Sequence, residues 1–372
     1  MNSNTTTSGL TFDVQLSSQR KTPQERAALL DNPGFGSVFT DHMVTIRYTE
    51  DKGWYDARLE AYGPLTLDPA TAALHYAQEI FEGLKAYRHP NGTPACFRPE
   101  ANAARFNRSA RRMAMPELPE DLFLKAIETL LAHDADWIPE QENSSLYLRP
   151  FMFASEVGLG VNSPSHSYLF VLIASPSGPY FSGGITPVTV WLSEDYTRAA
   201  PGGTGEAKFA GNYAASFLAQ RQAVEKGCDQ VVWLDAVEHR WVEEMGGMNL
   251  FFVYGSGDDA RLLTPALTGT LLPGITRDSL LTLAPELGFP VEEGRISTEQ
   301  WREAAESGEL TEVFACGTAA VVTPVGHVKS SQGEFSIGDG TPGPVTMRLR
   351  EELVALQYGT RPDGHGWIRT FG

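Results

Sequence analysis

Apolar and polar residues alternate over Val44–Tyr48 and again over Trp54–Leu59, with Glu50-Asp51-Lys52-Gly53 between them. A period of two broken by a polar, glycine-ended turn predicts a β-hairpin. From Asp68 to Phe81 the apolar spacing becomes helical and stops at Gly83. His89-Pro90-Asn91-Gly92 marks a second hairpin turn. Pro99, favoured in a first helical turn, opens a helix through Arg112, and Asp121–His133 is a second amphipathic helix. Ser145–Phe153 and Ser167–Ser175 have the apolar density of buried strands. An antiparallel sheet with helices, an α+β pattern, is expected for this half.

Pro176-Ser177-Gly178-Pro179-Tyr180-Phe181-Ser182-Gly183-Gly184 interrupts the pattern and has linker composition. Beyond it come a strand at Val188–Leu192, a helix from Ala214 to Lys226, and a hairpin pair at Gln230–Leu234 and Trp241–Glu244. Helices follow at Thr276–Leu287, Thr298–Ala305 and Val345–Gln357. The expected organisation is a flexible arm over 1–26, a smaller domain over 27–175, a linker over 176–186 and a larger domain over 187–372. A length of 372 residues suits two cores better than one.

Composition narrows the function classes. A net charge of -17 repels phosphodiester backbones and anionic lipid, which argues against nucleic-acid and membrane partners. Cys96, Cys228 and Cys316 are odd in number and widely spaced, so neither a metal site nor a disulfide framework is indicated, and a reducing cytoplasm is expected. The polar N-terminus lacks the apolar core of a secretory signal. The longest apolar run, Tyr168–Ala174, is too short to span a bilayer.

The most unusual stretch is Gly202–Tyr213, GGTGEAKFAGNY. Glycines on both sides of Lys208 let backbone approach a ligand closely. The flanking residues of a Walker A loop are missing. Lys208 is either a solvated lysine in a glycine-rich turn or an amine that forms a Schiff base. Leu272-Pro273-Gly274-Ile275-Thr276-Arg277 precedes a helix whose first N–H groups could bind an anion, or is an ordinary helix start. Gly317-Thr318-Ala319 forms another small-residue turn. Arg105, Arg108, Arg111 and Arg112 lie on one helix; such runs are usually solvated, though one inward arginine could hold a phosphate. Glu244 ends a strand beside Gly246 and Gly247, either an exposed turn acid or an acid facing a cofactor ring nitrogen. His42 and His75 are read as structural.

Taken in order, Phe35–Met43 (FGSVFTDHM), Leu74–Tyr87 (LHYAQEIFEGLKAY), Ser145–Pro150 (SLYLRP), Gly202–Tyr213, Glu244–Asn249 (EMGGMN), Leu272–Arg277 (LPGITR) and Gly317–Pro324 (GTAAVVTP) resemble the branched-chain amino acid aminotransferases of the fold-type IV pyridoxal-phosphate enzymes. The resemblance implies a two-domain, D-amino acid aminotransferase-like fold, with a smaller N-terminal α/β-sheet domain and a larger C-terminal pseudo-barrel. It implies reversible amino transfer between leucine, isoleucine or valine and 2-oxoglutarate, with pyridoxal 5'-phosphate carried on Lys208. Tyr213 would hydrogen-bond the ring oxygen and Glu244 would face the ring nitrogen. Arg105, Ile275, Thr276 and Thr318 would hold the phosphate, with Arg198 close by. Tyr147, Thr318 and Ala319 would receive the substrate α-carboxylate, while Phe35, Phe81 and Tyr213 wall the side-chain pocket. Arg149, two residues after Tyr147 and so on the same strand face, would meet the glutamate side-chain carboxylate. Tyr76 and the Leu159-Gly160-Val161 loop would arrive from the second subunit of a homodimer.

Two positions depart from the pattern: Ala320 and Thr323 stand where some relatives have a Cys-x-x-Cys pair, and Gly247 where some have Thr. The rivals are a D-amino acid aminotransferase or aminodeoxychorismate lyase of the same fold, and a non-catalytic phosphate-ligand binding protein.

Overall fold

The computed structural model describes residues 9–179 and 184–371. They form two compact units, one comprising Met1–Tyr180, Ala207–Ala210 and Leu356–Gly372, the other Phe181–Glu206 and Gly211–Ala355.

In the first unit the expected hairpins form as antiparallel pairs, His42–Thr49 with Gly53–Ala61 and Leu84–Arg88 with Pro94–Phe97. The long strands Ser145–Ala154 and Ser167–Ser177 pair along their whole length at the centre of a nine-stranded sheet. The helices Pro99–Arg112 and Glu120–Asp134 cover one face of it. Phe106, Phe123 and Phe170 meet there with ring centroids 5.6–6.2 Å apart. Burying three aromatic side chains on one another supplies several kcal/mol of hydrophobic stabilisation at about 1.5–3 kcal/mol each.

Several expectations are corrected here. The stretch expected as a flexible arm, 1–26, carries regular structure: Asp13–Val14 pairs in parallel with Arg58 and Leu59, and Thr22 and Glu25 close a capping box on the helix Pro23–Asp31. The helix expected over Asp68–Phe81 shrinks to Ala72–Tyr76, because Ala77 turns left-handed at φ 51 and Glu79–Phe81 becomes a strand against Phe151–Phe153. Pro176 and Ser177 extend a strand instead of beginning the linker, the middle of which lies outside the described residues. The larger domain does not run unbroken over 187–372. Ile368–Thr370 pairs with Ala95–Phe97, and Phe209 bridges Ile80, so the C-terminal strand and Lys208 itself belong to the first unit. A three-residue strand has no period a sequence can display.

In the second unit the strands close on themselves. Val242–Met245 pairs with Gln230–Leu234, then follow Val188–Ser193, Val321–Ser330, Leu310–Gly317 and Met248–Tyr254, which returns to Val242–Met245. The ring is the expected pseudo-barrel; closure removes unpaired edges from those strands. One apolar core cluster of this unit joins the barrel residues Val232, Leu250 and Phe252 to Trp301 of the helix Thr298–Ser307. The helix expected over Ala214–Lys226 divides into Ala210–Ala214 and Phe217–Glu225. Glu312, buried on a barrel strand, accepts the Val345 and Thr346 N–H groups at the start of Pro344–Gln357, doing for that helix what an N-cap side chain does elsewhere.

Candidate functional site

Each unit holds one cluster of the expected residues. In the first, Lys208 is fixed by its backbone: Ser109 Oγ accepts its N–H at 2.9 Å and its carbonyl accepts the Phe81 N–H at 3.0 Å. Ser109 is fully buried on the helix Pro99–Arg112. Lys208 Nζ sits 4.9 Å from the centroid of the Phe81 ring. Arg149 lies 4.8 Å from the same ring and 5.3 Å from that of Tyr147, whose hydroxyl accepts from its Nη2 at 3.0 Å. Phe35 packs edge-on against Tyr147 at 5.0 Å. The antiparallel pairing of Phe81 with Phe151 puts Tyr147, Arg149 and Phe81 on one sheet face, the period of two read from the sequence. Among the described residues the buried Arg149 Nε has no hydrogen-bond partner. Burial raises the Glu79 carboxyl above its ordinary range, and the charge of Arg149 works against that rise.

Arg105 is buried, and its Nε and Nη2 donate to the two oxygens of Glu82 at 2.7 and 2.9 Å. Asn102 adds a bond of 2.7 Å to the same carboxylate. Burial pushes the Glu82 carboxyl upward, but Arg105, then Lys208 and Asn102, more than offset it and hold it below the usual carboxylate range. Tyr76 donates to the Leu159 carbonyl at 2.7 Å, and Tyr76, Leu159 and Val161 are all exposed.

In the second unit Glu244 is buried. The Leu272 N–H donates to its Oε1 at 2.6 Å, Asn249 reaches the same oxygen at 3.4 Å, and Arg198 Nε lies 3.0 Å from Oε2. Arg198 also donates to the Thr270 carbonyl at 2.8 Å and to Gly205. So Arg198, expected near a phosphate, is bound to the acid and to two backbone segments around it. Its neighbour Glu243 accepts from the Thr270 hydroxyl. Gly205 has no room for a side chain, since a Cβ would come 2.1 Å from the Thr270 oxygen; Gly274 is equally confined, 2.0 Å from Asn249 Oδ1. Ile275 and Thr276 open the helix Ile275–Glu286, whose N-cap residue, Gly274, brings no side chain to its first turn. Tyr213 lies 3.4 Å from where a Cβ on Gly247 would stand. Thr318 and Ala319 form the turn between two barrel strands, beside the Asn249–Cys316 pair. His42 is structural as expected, buried 2.7 Å from Asp134, and His75, though exposed, is hydrogen-bonded at 2.8 Å to the Pro69 carbonyl.

Sequence reading assigned no role to Glu82, Asn102, Ser109, Asn249 or Thr270. Glu82 and Asn249 fall inside recognisable motifs, which was the available signal; Ser109 and Thr270 carry none.

The sequence profile of the class IV aminotransferases matches residues 79–328, well over half of the chain. The chain belongs to the class IV aminotransferase family. This aminotransferase is 61% identical to the branched-chain-amino-acid aminotransferase of Mycolicibacterium smegmatis over 96% of its own length and 98% of that protein's. Among solved structures, the Escherichia coli branched-chain amino acid aminotransferase superposes with a TM-score of 0.71 at 32% identity, covering 83% of this chain and 95% of that one. The branched-chain amino acid aminotransferase of T.th., complexed with N-(5'-phosphopyridoxyl)-L-glutamate, does so with a TM-score of 0.69 at 30% identity, covering 87% and 97%.

Class IV aminotransferases use pyridoxal phosphate, and the donor set of this aminotransferase fits it. It has a lysine amine held on fixed backbone, a buried carboxylate ringed by N–H donors, and a helix start whose N-cap is a glycine with no room for a side chain.

Proposed function

We propose that this aminotransferase moves the amino group of leucine, isoleucine or valine reversibly to 2-oxoglutarate, using pyridoxal 5'-phosphate, and that it works as a cytoplasmic homodimer. The observation that carries the substrate reading is Arg149, whose guanidinium lies against two aromatic rings and whose buried Nε has no partner among the described residues. The same wall offers aromatic surface to an aliphatic side chain and an unspent charged donor to a carboxylate. A pocket that takes leucine and glutamate in turn needs both, because an unpaired buried carboxylate is costly. The names of the relatives support this reading, as does the phosphopyridoxyl-glutamate bound by the T.th. enzyme.

Pyridoxal phosphate, when bound, supplies an aldehyde carbon and an electron-withdrawing ring. Lys208 Nζ would hold the cofactor and, once freed, would serve as the base that takes the proton from the substrate α-carbon. Because Ser109 and Phe81 fix its backbone, only the side chain need move. Glu244 would face the ring nitrogen and Tyr213 the ring oxygen. Arg105, Ile275, Thr276 and Thr318 would hold the phosphate, with Arg198 acting by orienting Glu244. Tyr147, Thr318 and Ala319 take the α-carboxylate, while Phe35, Phe81 and Tyr213 wall the pocket. The partner subunit's Tyr76, Leu159 and Val161 complete it; the exposed apolar group that they form with Leu74 and Val157 is surface that a second copy would cover.

An absorption spectrum tests the reading. A visible band that bleaches with leucine and returns with 2-oxoglutarate is expected; a band indifferent to leucine but bleached by D-alanine would point to the D-amino acid rival.

A further inference from the structure

Glu82 has no assigned part in the reaction, yet it is fully buried and collects four donors. Its Oε1 accepts from Arg105 Nε at 2.7 Å, and its Oε2 from Arg105 Nη2, Asn102 Nδ2 and the Gly83 N–H at 2.9, 2.7 and 3.1 Å. Two parallel bonds fix both the place and the plane of a guanidinium, whereas a single bond leaves it free to turn. Asn102 and Gly83 in turn fix the carboxylate, so Arg105 is located by a chain of contacts inside one unit. Isolated ions this deep would be strongly disfavoured, and the pair persists because every oxygen is used.

We propose that Glu82 is a positioning residue for the cofactor phosphate, acting by presenting the Arg105 guanidinium in one fixed orientation. This rests on the proposed role of Arg105 in holding that phosphate. Gln is the informative replacement because it matches Glu in shape. Its carbonyl can satisfy the three donors at Oε2 only by turning its NH2 against Arg105 Nε, which releases one of the two bonds.

The experiment compares the wild type with Glu82→Gln, each stripped of cofactor, in three titrations: pyridoxal phosphate, pyridoxal without phosphate (trapped on Lys208 with borohydride), and inorganic phosphate. Glu82→Gln should weaken pyridoxal phosphate and inorganic phosphate together, on the order of tenfold to a hundredfold, and change pyridoxal attachment far less, by no more than the loss of the Glu82 charge felt at the Lys208 amine. Removing one member of a buried pair can also unfold a protein. Asn102→Ala, which deletes a support of Glu82 without touching Arg105, should then show a smaller loss with the same selectivity for phosphate. Equal losses for pyridoxal and pyridoxal phosphate, or no loss of either in a folded variant, would overturn the proposal. A wild type that binds neither compound would sink the underlying cofactor reading, and this proposal with it.

Discussion

Two buried carboxylates, Glu82 in the open sheet unit and Glu244 in the closed barrel, each meet a buried arginine, but the dependence runs in opposite directions. Glu82 offers both oxygens to Arg105 and is steadied by Asn102, so there the acid orients the arginine. Glu244 is reached by a backbone N–H from Leu272 and by Arg198, which is itself tied to the Thr270 and Gly205 carbonyls. There the arginine and the surrounding backbone orient the acid. The same pair of residue types thus serves opposite ends, and only the third partners reveal which. A carboxylate aimed by the main chain suits a group that must face a ring nitrogen; a carboxylate spent on an arginine suits the aiming of a phosphate ligand.

The largest expected effect lies on the sheet side. Lys208→Ala should keep its circular dichroism yet lose turnover by several orders of magnitude, since no other amine is held on that backbone. Near-normal transamination would remove Lys208 from the mechanism. On the barrel side, Glu244→Gln should lower the leucine half-reaction on the order of a hundredfold while cofactor affinity changes far less. If affinity fell in step with rate, Glu244 would be acting like Glu82, and the distinction between the two acids would be lost. A smaller change should sharpen the role of the open sheet in specificity. Arg149→Met should cost the glutamate half-reaction about tenfold to a hundredfold more than the leucine half-reaction, as read by stopped-flow on each separately. Equal losses would make Arg149 a structural support. The smallest effect belongs to the barrel cysteine. Cys316 is buried, burial pushes its thiol well up, and Ala320 and Thr323 supply no partner, so peroxide should not switch activity. A loss of activity reversed by dithiothreitol and abolished in Cys316→Ser would reveal a thiol switch.

The long elements were legible in the sequence. Pro99–Arg112 is a helix between the expected residues, and the strands around Ser145–Phe153 and Ser167–Ser175 form with only small extensions. Each carries enough periods of its own for its pattern to outweigh its surroundings. The short elements were not legible. Glu79–Phe81 continues a helical pattern and is nonetheless a strand, because pairing with Phe151–Phe153 satisfies its backbone. The same holds for the N-terminal strand at Asp13–Val14, whose partner is over forty residues away.

The order and spacing of its motifs were enough to name the family of this protein and to single out Lys208, Glu244 and Arg149, because chemistry restricts which side chains can bear an amine, an anion or a guanidinium. Composition weighed against nucleic acid as a partner. Which arginine serves which acid was decided only by the fold. Arg105 and Arg198 are alike as letters, and what separates them is that one lies beside Asn102 and Glu82 on a helix facing the sheet and the other among carbonyls of the barrel. Hydrogen bonds join residues far apart in the chain, and no local pattern encodes a partner that tertiary packing alone brings within 3 Å.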